Sequence, residues 1–241
     1  MKKKIFFIIM IVICFIGLVF GSYKVFTWKK DNDKVAEIKD EIDDYIEIDE
    51  KDEEVKYNID FASLKKKNPD TVGYLKVKNT NIDYVVVKYK DNDYYLKHNF
   101  EKKYSSSGWV FADYHNKFDG TDKNTVIYGH SMLNGNMFGT LRKTLNKKWY
   151  TNKDNRIITF VTEDGSSEYE VFSLYNIKAE SYYINTKFKN NDEFYKFLTT
   201  IKNRSIYNFN VNLDKNDEII TLSTCSSGAS NRTVLHAKRI K

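Results

Sequence analysis

The hydrophobic pattern changes three times along the chain. After Lys2, Lys3 and Lys4, the residues from Ile5 to Tyr23 carry no charge and are almost all apolar, without any alternation. At 1.5 Å per residue this run makes roughly 28 Å of helix, close to the thickness of a bilayer's hydrocarbon core. It is long for the apolar region of a cleaved signal peptide, and no A-x-A-like site follows, so it predicts an uncleaved anchor over 5–23 behind a basic stub at 1–4. Next, KVAEIKDEIDDYIEID sets Val35, Ile38, Ile42 and then Tyr45 or Ile46 at helical spacing between acidic residues, the pattern of an amphipathic stalk helix within 24–54. A further helix is predicted over 61–67, because Pro69 disfavours helical geometry at Asn68.

Beyond that point the period becomes two. GYLKVKNTNIDYVVVKY, GWVFADY, NTVIYGH, NRIITFVT, YEVFSLYNI, EIITLST and RTVLHAKRI are short runs rich in Val, Ile, Tyr and Phe, separated by Asn, Asp, Gly and Lys. They read as strands, some half-buried and some apolar on both faces. Long helices do not alternate with them, so a closed or nearly closed β-barrel fits better than a doubly wound sheet. Two helical insertions are predicted: MFGTLRKTLNKKWY, with Phe138, Leu141, Leu145 and Trp149 on one face, and NDEFYKFLTTIKN, with Phe194, Phe197, Leu198 and Ile201 on another. With no internal repeat and no low-complexity tract, 55–241 reads as one domain.

Composition narrows this picture. In 241 residues, 18 Tyr and 16 Phe supply a packed, β-rich core, and the length allows one good-sized domain with an appendage. The formal charge of +6 is spread through stretches of both signs such as KYKDNDYYLKHNFEKK, which describes a solvated surface rather than a nucleic-acid partner. Only two cysteines are present, Cys14 in the apolar run and Cys225 near the C-terminus, so neither a disulfide framework nor a thiolate metal site is available. No metal or cofactor is expected.

Cys225 ends EIITLST and begins SSGASN, where position alone allows an inert small residue as well as a nucleophile. A nucleophile needs a base and an oxyanion partner. Of the four histidines, His98 and His115 lie in charged loops and His236 lies within a strand, whereas His130 leaves a buried-type strand after Gly129 and heads the polar loop SMLNGN. Arg232 opens the strand after the cysteine loop; if TLST and RTVLHAK pair as neighbours, its guanidinium returns to the level of the thiol.

This combination, T-L-S-T-C with Arg seven positions on and Tyr-Gly-His upstream, resembles the sortases, the cysteine transpeptidases that attach proteins to the Gram-positive cell wall. The likeness covers roughly 55–241, through NPDTVGYLKV, NIDYVVV, YYLKHNF, GWVFADYHN, VIYGHSM followed by MFGTL, TLSTC and RTVLHAK. The stretch NDEFYKFLTTIKN is similar to the extra helix of class B. The resemblance implies a mainly β fold: a closed eight-stranded barrel with N-terminal helices and a helix inserted before the last strands. It implies Cys225 as nucleophile, His130 as proton donor and acceptor, and Arg232 as substrate and oxyanion ligand, with Ser223, Tyr128, Asn99 and Tyr182 or Tyr183 at substrate-groove positions. Two departures are Val85, where relatives often carry proline, and a Cys225-to-Arg232 loop shorter than in some relatives, which bears on peptide preference.

The charges flanking the apolar run leave its orientation open, since Lys24, Lys29 and Lys30 follow it. The resemblance implies a single-pass cell-membrane protein with the catalytic domain outside. Implied partners are surface proteins bearing a C-terminal NPxTx-like or PPxTG-like sorting motif and an amine of a peptidoglycan precursor or stem peptide. The alternatives are a cysteine peptidase that hands the acyl group to water, and an idle module that only binds peptides.

Overall fold

The computed structural model describes residues 2–51, 54–225 and 231–241, with the side chains of Lys2, Glu50, Lys51, Glu54 and Cys225 outside the description. The predicted anchor and stalk form one uninterrupted helix, α1 (Lys2–Asp43), roughly 63 Å long at 1.5 Å per residue. Its first half is exposed all round, and it is long and apolar enough to cross a bilayer. Its second half is amphipathic as expected, and Val35, Ile38 and Ile42 are buried in the core of the domain.

A two-stranded antiparallel hairpin follows, β1 (Ile46–Lys51) with β2 (Glu54–Ile59), pairing Ile46 with Ile59. The sequence did not announce it: its acidic alternation reads equally as the tail of a charged stalk, and the boundary drawn between 54 and 55 falls inside it. Helix α2 (Phe61–Lys67) is N-capped by Asp60, whose carboxylate accepts from Ser63 N at 2.9 Å, and ends at extended Asn68, just before Pro69.

The remaining strands are β3 (Thr71–Val77), β4 (Asp83–Val87), β5 (Phe111–Ala112), β6 (Asn124–His130), β7 (Ile157–Thr162), β8 (Gly165–Lys178), β9 (Ile219–Cys225) and β10 (Asn231–Arg239). They close an eight-stranded barrel in the order β10, β8, β7, β3, β4, β5, β6, β9. Two pairings are parallel, β4 with β5 and β6 with β9, and the rest are antiparallel. Closure leaves no open edge and explains why runs such as 233–237 are buried on both faces.

The helical insertion expected over 137–150 is not one continuous helix. Residues Leu141–Leu145 form a 3-10 turn, Asn146 adopts an extended conformation, and a one-turn helix α3 (Lys147–Tyr150) starts with the Asn146 side chain accepting from Lys148 N at 3.0 Å. Phe138, Leu141 and Trp149 are still buried, so their apolar spacing reports burial and not one helical face. By contrast α4 (Asn191–Asn203) matches its prediction, burying Phe194, Leu198 and Ile201 against the outside of β8, where Ser173 Oγ donates to Ile201 O at 2.6 Å.

Candidate active site

Strands β6 and β9 lie far apart in sequence yet run side by side in parallel, with Tyr128 opposite Ser223, Gly129 opposite Thr224 and His130 opposite Cys225. Neighbouring strands lie about 4.8 Å apart, so the last rung of this ladder holds the backbones of His130 and Cys225 at strand spacing. On the other side of β9, β10 sets Val234 opposite Ser223, and Thr233 N donates to Thr224 Oγ1 at 2.9 Å. The same register continued by two residues sets half-buried Arg232 opposite Cys225. The three residues nominated from sequence thus stand at one end of three adjacent strands. The thiol of Cys225 and the residues 226–230 lie outside the described structure.

The end of β6 is fixed from both sides. The His130 carbonyl accepts from Met132 N at 3.1 Å and from Phe138 N at 2.9 Å, which pins the MFGTL segment onto the strand. Phe138 packs so closely that a Cβ on Gly129 would sit 2.6 Å from its ring, so the glycine before the histidine makes room for this clamp. The His130 imidazole points at the segment before β5: its Nε2 lies 2.8 Å from Leu96 O. A carbonyl only accepts, so Nε2 carries a hydrogen in this hydrogen bond.

Sequence reasoning did not find the Leu96 carbonyl, because a backbone acceptor has no residue signature. It is held by the 3-10 turn Tyr94–Leu96, by Trp109 N donating to Tyr95 O at 2.9 Å, and by the Tyr95 hydroxyl, which donates to Asp70 at 2.7 Å. Gly108, at φ 58°, closes against this turn; a Cβ there would lie 2.3 Å from Tyr95 O and 2.9 Å from Leu96 O.

One row further into the sheet, the predicted groove residues divide. Tyr128 and Ser223 are register partners on the barrel's outer face, both buried; the Tyr128 hydroxyl donates to Asp113 at 2.8 Å, and Ser223 Oγ shares a 3.2 Å hydrogen bond with the buried Tyr183 hydroxyl. Tyr182 is half-buried and stacks on the Arg204 guanidinium, 4.0 Å from ring centroid to cation. It lines a cleft of about 660 Å³ with Asn92, Asp113, His115 and Phe188, and Asp113 links that cleft to Tyr128. Asn99 is buried in the loop that follows Leu96, where its Oδ1 accepts from Lys103 N at 3.0 Å.

Beneath the groove lies a polar chain that has no local signature along the strands. The strand histidine His236 is fully buried, with Nδ1 2.8 Å from Thr221 Oγ1 and Nε2 2.8 Å from the Tyr175 hydroxyl. Thr221 donates to Asn124 Oδ1 at 2.7 Å and so accepts from His236 Nδ1, which leaves Nε2 to accept from Tyr175. Burial pushes the His236 pKa down to about 3, so this ring is a neutral structural link and not a proton carrier at neutral pH. His98 stacks on Tyr94 and bonds its backbone carbonyl, and His115 bonds Asp113 at 2.9 Å.

The chain is similar to known proteins over most of its length. A family model described as the sortase domain matches residues 75–240. Among characterised relatives, sortase B of Listeria monocytogenes is 42% identical over 170 residues, covering 70% of this chain and 68% of that one. Among solved structures, sortase B from B. anthracis in complex with AAEK1 superposes with a TM-score of 0.78 at 32% identity, covering 88% of this chain and 99% of that one. A Staphylococcus aureus sortase B-substrate complex gives a TM-score of 0.71 at 36% identity, covering 75% and 84%.

Proposed function

The chain belongs to the sortase family and is a cysteine transpeptidase of the sortase B type, and from that premise we propose that it is anchored by α1 and joins surface proteins to a cell-wall amine. Residues 5–23 cross the cell membrane once and the barrel lies outside. The substrates are proteins carrying a C-terminal NPxTx-like or PPxTG-like motif; the acceptor is an amine of a peptidoglycan precursor or stem peptide. The observation that carries the assignment of roles is the rung pairing His130 with Cys225, flanked by Arg232 at the head of β10.

In this reading the Cys225 thiolate attacks the carbonyl carbon of the threonine in the motif. Arg232 holds the oxyanion, a fixed cation where negative charge develops. Protonated His130 delivers the Nδ1 proton to the leaving amine as the C–N bond breaks, giving a thioester and neutral imidazole. The incoming amine attacks the thioester, loses a proton to Nδ1, and expels the thiolate, so an amide is made for the amide broken. Throughout, Nε2–H stays on Leu96 O, which keeps the ring in one orientation and one tautomer. Tyr128, Ser223, Tyr183, Tyr182 and Asn99 line or shape the peptide groove.

The test is product analysis with the full chain in detergent. Quenched peptides carrying each motif are incubated with and without a diaminopimelate-like or glycine-based amine, and products are read by mass spectrometry. Cleavage after threonine with an amine-linked product is expected. Water as sole acceptor at saturating amine would make the protein a peptidase, and peptide binding without turnover would make it a binding module.

The Leu96 carbonyl gives a second expectation. Gly108→Ala must displace the Tyr95 and Leu96 carbonyls, so kcat should fall by roughly tenfold or more while KM for the peptide stays nearly unchanged. A loss confined to KM would assign this turn to the peptide groove and not to the histidine.

A further inference from the structure

The junction between α1 and the barrel fixes which end of the barrel faces the membrane. The first contacts beyond the apolar run come at Asp31, which accepts from Ser106 N at 3.2 Å and Ser106 Oγ at 2.6 Å, and at Asn32, whose Oδ1 accepts from Asn134 Nδ2 at 2.8 Å. Lys34 then pairs with Glu101 at 3.4 Å, and Val35, Ile38 and Ile42 enter the core. Toward its C-terminal end the helix has climbed to the opposite end of the barrel: Glu41 meets Lys67, and Asp44 and Tyr45 share a groove with Glu163 and Gly165 of the β7–β8 turn. From Asp31 to Asp44 is about 20 Å of rise at 1.5 Å per residue.

Two loops that leave the active site meet the start of this docked stretch. Leu96, whose carbonyl holds His130, leads into residues 97–107, and His130 itself leads into residues 131–137. Each presents one large side chain to solvent near its contact with α1: Tyr104 is 72% exposed and Leu133 83% exposed. Tyr104 reaches back toward the bilayer, for it lines a groove of about 980 Å³ together with Tyr23, Val25 and Trp28 of α1. The groove also carries Lys24 and Lys30, while its other two lysines, Lys34 and Lys103, pair with Glu101 at 3.4 and 3.1 Å; the carboxylate that lines it, Asp31, is bonded to Ser106.

Aromatic and basic side chains at the end of an apolar helix are the composition of a headgroup layer. Tyr23 to Asp31 spans only about 12 Å of helix, so the docked loops lie at or just above that layer, which is some 5–8 Å thick per leaflet. We infer that the active-site end of the barrel rests on an anionic bilayer, with Tyr104 and Leu133 at the lipid interface and Lys24 and Lys30 among acidic headgroups. The inference rests on residues 5–23 being a membrane anchor. It means that the catalytic rung faces the surface from which membrane-held substrates come, at a height set by the unbroken α1.

Site-directed spin labelling of the full chain tests this. In a Cys14→Ser, Cys225→Ala background, nitroxides are placed at Tyr104→Cys, Leu133→Cys or, at the far end of the barrel, Asp164→Cys. The chain is reconstituted in vesicles of phosphatidylglycerol with phosphatidylcholine. Collision with oxygen relative to a nickel chelate should be at least roughly threefold higher at 104 and 133 than at 164, and should fall toward the 164 value in pure phosphatidylcholine. Equal ratios at all three positions in a chain that resists carbonate extraction would overturn the inference while leaving the anchor. Release by carbonate would overturn the anchor itself, and a high ratio unchanged without phosphatidylglycerol would overturn the part given to acidic headgroups.

Discussion

Cys225→Ala should lower kcat/KM on a sorting peptide by at least roughly 10³-fold while peptide affinity stays within about twofold, because the substitution deletes the nucleophile and leaves the groove. His130→Ala should fall by a similar factor, and the double variant should be no slower than either single one. That non-additivity is the signature of two groups acting as a unit, as the shared rung of β6 and β9 leads one to expect. Arg232→Ala should cost roughly 10²-fold or more in kcat if it stabilises the oxyanion. Arg232→Lys should recover little of it, since an ammonium cannot reproduce the planar fork of a guanidinium. Single-turnover assays with binding by fluorescence anisotropy separate the two quantities. Additive losses for Cys225→Ala and His130→Ala would show that the pair does not work together.

Acidification should destabilise the protein through His236. Its folded pKa, about 3, lies below the ordinary histidine value of 6.5, because burial disfavours the imidazolium. Between those values the unfolded chain binds a proton that the folded chain does not, so stability is full above pH 6.5 and is lost as pH falls toward 3. The loss should reach about 2 kcal/mol at pH 5 relative to pH 7, at ~1.4 kcal/mol per pH unit below the unfolded pKa. Denaturant titration of wild type and His236→Gln at both pH values checks this. The variant should be weaker at pH 7, where Tyr175 and Thr221 lose their partner, but flatter with pH. An equal slope in both proteins would assign the pH dependence to other groups.

The buried chain from Asn124 through Thr221 and His236 to Tyr175 also shows where reading the sequence stopped. His236 sits in RTVLHAKRI as one polar letter in an apolar strand, and nothing local says which atoms will meet it. Its partners come from β6, β8 and β9, assembled by barrel closure. The Leu96 carbonyl was illegible for a different reason: every residue has one, and its direction depends on Gly108 closing the turn from the other side. The hairpin over 46–59 was missed because alternating acids support a solvated helix and an exposed strand pair alike.

What the sequence determined by itself are the features set by local periodicity and residue chemistry. The uncharged run to Tyr23, the 3.6-residue spacing of Val35, Ile38 and Ile42, the two-residue alternation of the strands, and a cysteine, a histidine and an arginine at strand ends were all readable along the chain. Tertiary structure decided what depends on residues distant in sequence becoming neighbours. The parallel ladder puts His130 and Cys225 on one rung, the register of β10 returns Arg232 to the same end, and α1 runs unbroken from the apolar segment up the barrel wall. Periodicity says which face of an element is buried; only the closing of the barrel says against what.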